Sequence, residues 1–154
     1  IMKVLFMLAI HELGETIIGD LTRFQISKEE KEKIEHKAVS DILSDLIDGE
    51  YIEKLFLEFD RGLTKEAKFA YQCDKLECDL QCKLYDEEGC VDLKNQQNNK
   101  TIENTKVKEL LDSGISWSSM WLKFWQNKAN YDENFLAISN YALKNNISET
   151  EKPI

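Results

Sequence analysis

A chain of 154 residues and 18.0 kDa can bury one core and has little material for two. One Pro and six Gly leave few tight turns, which argues against a β-sandwich or barrel and for long helices. The formal charge of −9 would repel a phosphate backbone, so no nucleic-acid partner is expected; small phosphorylated ligands stay open, because a metal ion inverts the local field.

The first segment, Met2 to Ile10 (MKVLFMLAI), has the look of a signal peptide. Its apolar core, Val4 to Ile10, is only seven residues and runs into His11-Glu12-Leu13-Gly14-Glu15 with no small-residue cleavage site. Residues 2–19 therefore read as one helix. It is apolar on nearly every side and is expected in the middle of a bundle. No run approaches the ~20 apolar residues needed to cross a bilayer. The expectation is a cytoplasmic protein with no membrane partner.

Ser27 and Glu30 form a capping box that opens a second helix over 28–47, with Ile34, Ala38, Ile42, Leu43, Leu46 and Ile47 in helical period. Asp48-Gly49 breaks it. A short amphipathic helix follows over 50–60, ended by Gly62. Thr64 caps a long helix over 65–86, closed by Gly89. The polar stretch 94–104 (KNQQNNKTIEN) reads as a mobile loop. Helices over 104–113, 117–128 and 132–145 complete a single domain spanning 1–154, and the tail 147–154 is expected to fray. Trp117, Trp121, Phe124 and Trp125 make an aromatic stripe that suits helix packing better than a cofactor. The four cysteines, at spacings of five, four and eight, lack the C-x-x-C pairs of a zinc ribbon and read as reduced core thiols.

Ionisable residues fall where a buried helix should not carry them. His11 and Glu15 are i,i+4 on one face, Glu12 is adjacent, and Asp20 follows Gly19 at the helix end. On the long helix Asp74 is the only charged member of the row Ala70, Asp74, Cys78, Cys82, so it is expected to face inward. A buried carboxylate must be neutralised, find a cation or bind a metal. An imidazole and carboxylates suit a divalent ion such as Mn, Co, Fe, Zn or Mg. Periodicity does not show that the two helices touch.

The segment LAIHELGETIIGDLT resembles the His-Asp segment of the HD-domain metal-dependent phosphohydrolases. It is nearest their 5′-deoxynucleotidase-like branch, whose pattern is H-D-x-x-E-x-x-x-G-D. The segment LTKEAKFAYQCDKLECDLQCKLYDEE resembles that branch's later motif, E-A-x-x-x-x-x-x-D-K-L-E followed by Q-x-x-x-Y-E. The likeness covers residues 1–90 well and the C-terminal helices loosely. It implies an all-α HD-type helical bundle with one divalent ion at its centre, held by His11, Glu12 and Asp74. Glu15 matches the acid that orients or deprotonates the attacking water, and Asp20 the acid near sugar or phosphate. Lys75 and Glu77 match neighbours of the distal Asp. The implied substrate is a (deoxy)ribonucleoside 5′-monophosphate.

The family has Asp where this chain has Glu12. Its first metal-binding His, and an Arg-Trp pair for substrate, lie on a preceding helix, here expected upstream of Ile1. A homodimer through the aromatic C-terminal half would also fit the family. Two rival readings remain: an HD-fold interaction module without activity, and an HD hydrolase of another phosphorylated nucleotide. For Glu15 the bland alternative is an ion pair with a base such as Arg23. For Asp20 it is a helix-ending turn residue.

Overall fold

A computed structural model describes residues 1–21, 25–95 and 99–148. Every regular element among them is a helix: α1 (Met2–Ile10), α2 (Glu15–Ile18), α3 (Lys28–Leu43), α4 (Gly49–Arg61), α5 (Lys65–Glu87), α6 (Lys100–Glu103), α7 (Thr105–Asp112), α8 (Trp117–Gln126) and α9 (Glu133–Lys144). The fold is all-α, as the low Pro and Gly content implies. No described helix is long and apolar enough to cross a membrane. The chain divides into two compact units, Ile1–Tyr71 and Gln72–Ile154, with the division inside α5.

The single helix expected over 2–19 is instead two. The Leu8 carbonyl accepts the His11 ring Nδ1 at 2.8 Å. Over residues 10–17 the backbone then follows i→i−3 bonds, with Leu13 N donating to Ile10 O and Glu15 N to Glu12 O, both at 3.0 Å. This tight turn ends α1 and restarts the chain as α2. Nor is α1 buried all round. Met7 is its one fully buried residue, packed with Leu55, Ala67 and Ala70 and flanked by Val4, Leu8, Ile10 and Phe59. Met2, Leu5 and Phe6 are exposed. A second cluster, Val39, Leu43 and Phe56, joins α3 to α4 and gathers Ile10 and Leu13.

The capping box forms as the sequence implies: the Ser27 hydroxyl accepts the Glu30 N–H, and the Glu30 side chain reaches back to the Ser27 N–H. The helix it opens stops at Leu43 rather than at 47, and Asp48 takes a left-handed conformation at φ 63° before α4.

Gly14 decides how α2 meets α3. A methyl group there would collide with the Glu35 Cγ, and would lie 3.2 Å from the Glu35 carbonyl oxygen and 3.3 Å from Val39 Cγ2. The absence of a side chain brings the two backbones together.

In the second unit Met120, Leu122, Phe135 and Ala142 are buried where α8 and α9 pack. The polar side of α5 fastens this layer. The Asp86 carboxylate accepts Ser118 N–H at 2.9 Å near the start of α8. The Gln72 side-chain oxygen accepts Asp132 N–H before α9. Glu87 accepts the backbone N–H groups of Ile147 and Ser148, so these two residues are pinned rather than frayed; the expected fraying beyond them lies outside the described residues. Within 94–104, Lys100–Glu103 are helical and not loop. Asn99 caps α6 through Thr101 N and Ile102 N, and Asn104 caps α7 through Lys106 N and Val107 N. Residues 96–98 lie outside the described set.

Candidate metal centre

His11 and Glu12 stand together at the turn between α1 and α2. A backbone carbonyl can only accept, so the bond to Leu8 O puts the proton of a neutral imidazole on Nδ1 and the lone pair on Nε2. That is the tautomer and anchoring typical of a metal-ligating histidine. The ring is tilted against Phe59 at a centroid distance of 5.1 Å, which fixes its plane, and Nε2 lies 3.8 Å from the Glu12 carboxylate. This pair suits a divalent ion: a borderline nitrogen beside a hard oxygen.

Glu12 is not the buried acid that a continuous apolar helix implies. The Glu12 side chain is 69% exposed, against 17% for His11. The turn lifts it out of the apolar surroundings that a continuous helix would have imposed. Its charge is solvated, so the cost of burial does not require a cation at this residue.

Glu15 opens α2 and is mostly covered. Its Oε1 accepts from Lys31 Nζ on α3 at 2.7 Å. The ion pair weighed for it therefore exists, with Lys31; Arg23 lies outside the described residues. Asp20 is exposed, directly after Gly19 at φ 77°.

Asp74 is 14% exposed on α5, in keeping with the inward orientation expected of it, and its Oδ2 lies 2.7 Å from Lys75 Nζ. That ammonium also sits 5.5 Å above the Trp125 ring. On the same helix Phe69 is about half exposed, while Ala67 and Ala70 are buried. Cys73 and Cys78 on the same helix are half-buried and Cys82 likewise, with Cys90 exposed; all four are free thiols. Burial pushes the Cys82 thiol up to about 12, so it is a poor nucleophile, in line with a core thiol.

Two ionisable residues escaped the sequence reading. Asp79 is completely buried on α5. Its Oδ2 accepts from the Tyr131 hydroxyl at 2.8 Å, and Oδ1 has no hydrogen-bond partner among the described residues. Burial pushes this carboxyl up to about 7, against the smaller opposing effects of the Tyr131 bond and Lys75. Its neighbours Leu76 and Leu80 were the available signal. The other is Glu35 on α3, raised above its ordinary value by burial, with Lys31 opposing.

Residues 1–113 match the HD-domain family. The chain belongs to that family. It is 40% identical over 75 residues to the 5′-deoxynucleotidase hdd1 of Schizosaccharomyces pombe, a match covering 44% of this chain and 38% of that protein. It is 36% identical over 90 residues to the 5′-deoxynucleotidase HDDC2 of Dictyostelium discoideum, covering 56% of this chain and 47% of that protein. The matched segments thus span less than half the length of either relative. No solved structure matches the chain. The His11–Asp20 segment and the Asp74 segment both fall inside the region that matches the HD domain.

Proposed function

We propose that this HD domain is a metal-dependent phosphohydrolase acting on nucleoside 5′-monophosphates, with deoxyribonucleotides the first class to try. His11, Glu12 and Asp74 would hold one divalent ion, and Glu15 would serve the attacking water. The observation that carries the reading is the His11 ring: its Nδ1 is tied to Leu8 O at 2.8 Å, leaving Nε2 as the lone-pair nitrogen beside the Glu12 carboxylate. A lone-pair nitrogen set beside a carboxylate oxygen is an arrangement that a cation between them would complete. The names of the two relatives support the substrate class.

A bound ion of this kind supplies a Lewis acid for the phosphoryl oxygens and lowers the pKa of water beside it. The protein's part is orientation and proton handling. His11 and Glu12, one residue apart on a tight turn, present nitrogen and oxygen on one side. Glu15, one turn further on, accepts the proton of the attacking water as the new P–O bond forms. The bond from phosphorus to the 5′ oxygen breaks, and that oxygen leaves as the nucleoside hydroxyl once protonated. Asp20, exposed after Gly19, is free to reach the sugar or the phosphate. Mn, Co, Fe, Zn and Mg all suit one imidazole and two carboxylates.

Phosphate release from a panel of ribo- and deoxyribonucleoside 5′-monophosphates, with each metal in turn, tests the proposal. Metal-dependent release with the nucleoside as product supports it. The exposed Glu12, standing where the family has Asp, favours one second reading: an HD-fold interaction module. Metal binding without turnover of any nucleotide would select that module. Turnover confined to cyclic or polyphosphorylated nucleotides would move the substrate class.

A further inference from the structure

We infer that Lys31 is a positioning residue for Glu15: it holds one carboxylate oxygen so that the other alone is presented to the attacking water. The inference rests on the hydrolase reading above and adds to it a residue from outside both motifs.

Three observations meet at this point. Gly14 lets α2 approach α3 so closely that a methyl group would strike Glu35 and Val39. This sets the next residue, Glu15, over the α3 backbone one turn before Glu35. Lys31 occupies that turn, and its Nζ donates to Glu15 Oε1 at 2.7 Å. Finally, Glu35, four residues along α3 from Lys31, is covered enough for burial to raise its pKa, and Lys31 is the strongest influence opposing that rise. The ammonium is bonded to Glu15 and also acts through its field on a second carboxylate. A lysine on its own keeps great rotamer freedom; one bonded to a covered acid on a neighbouring helix gives much of it up.

The pair also differs from the ordinary surface pairs of this chain. Its side chains are 25% and 20% exposed, whereas Lys37–Asp41 is 74% and 62% exposed. It is not an i,i+4 pair within one helix but joins two elements, α2 and α3. Screening is weaker for covered pairs, so the geometry is held more firmly. With Oε1 engaged, Oε2 is the acceptor that remains, and a base with one defined acceptor loses less to misorientation. Next to this row, His36 Nε2 lies 2.7 Å from Asp60 Oδ2 and its ring packs edge-on against Phe56, so α4 supports the same stretch of α3.

The test combines kinetics with a measurement that needs no turnover. In the Mn-loaded chain, Lys31→Met should lower kcat for a deoxynucleoside 5′-monophosphate about 10- to 100-fold, with KM within about threefold. Lys31→Arg, which keeps a donor of similar reach, should recover most of the loss. In the metal-free chain, a double-mutant cycle of Lys31→Met and Glu15→Gln, read by urea unfolding, should be non-additive, the two together costing less than the sum. Additive costs overturn the pairing, and with it the inference, whatever the activity. An unchanged kcat in Lys31→Met, or a fall that Lys31→Arg does not rescue, overturns the positioning role. If the wild type turns over no nucleotide while the cycle is non-additive, the hydrolase reading has failed rather than the pair, and the role in catalysis falls with it.

Discussion

Two carboxylates, one in each compact unit, show how differently the same side-chain chemistry can be used. Glu12 comes just after a nine-residue helix that is apolar except for Lys3, yet its side chain is 69% exposed because the chain turns at His11. Asp79 sits in a helix with a charged residue in nearly every turn, yet it is completely buried beneath Tyr131. Local hydrophobicity singled out Glu12 and passed over Asp79. Burial is fixed by what packs over a position, and neither the α1–α2 turn nor the approach of Tyr131 can be read from neighbouring residues alone.

The largest consequence concerns Asp79. Its folded pKa, about 7, lies above the unfolded value near 3.8, so the folded state holds a proton that the unfolded state releases. Its contribution is fully present below about pH 4 and is lost as pH rises towards and through about 7, by up to about 4 kcal/mol. Asp79→Asn should abolish this component. Urea unfolding of both proteins between pH 4.5 and 8 should show their stability difference shifting towards the variant as pH rises. Parallel curves would mean that Asp79 is not titrating in a closed site.

An intermediate effect is expected at Gly14, where Ala would collide with α3 and cost about 1–3 kcal/mol. Denaturant midpoints check this, and a cost near zero would mean that α2 does not sit closely on α3. The smallest is at Glu12. With its charge in water, Glu12→Gln should change stability of the metal-free chain by less than about 0.5 kcal/mol. A loss comparable to that of a buried acid would erase the contrast drawn above.

Much of the helical order was legible. Low Pro and Gly content, the Ser27–Glu30 box and the breaks at Asp48-Gly49 and Gly62 mark α3 to α5 to within a few residues, because capping is local chemistry. The α1–α2 division was not legible, since it depends on a histidine ring competing for a backbone carbonyl. The helix within the Asn-rich stretch was missed because Asn99 and Asn104 act as caps there rather than as linker residues. Among the candidate site residues, the two motifs pointed to His11, Glu12, Glu15, Asp20 and Asp74. Lys31 lies outside both and emerges only through the contact of α2 with α3.

The most direct test of the account is calorimetric titration of Mn²⁺ into the wild type and into Asp74→Asn, with circular dichroism confirming equal helicity. The account predicts one ion per wild-type chain and an affinity at least about 100-fold weaker in the variant, since a direct ligand should matter no less than the residues that support one. Equal affinity in two equally folded proteins would contradict the assignment of Asp74 and, with it, the three-residue centre on which the proposed hydrolysis depends.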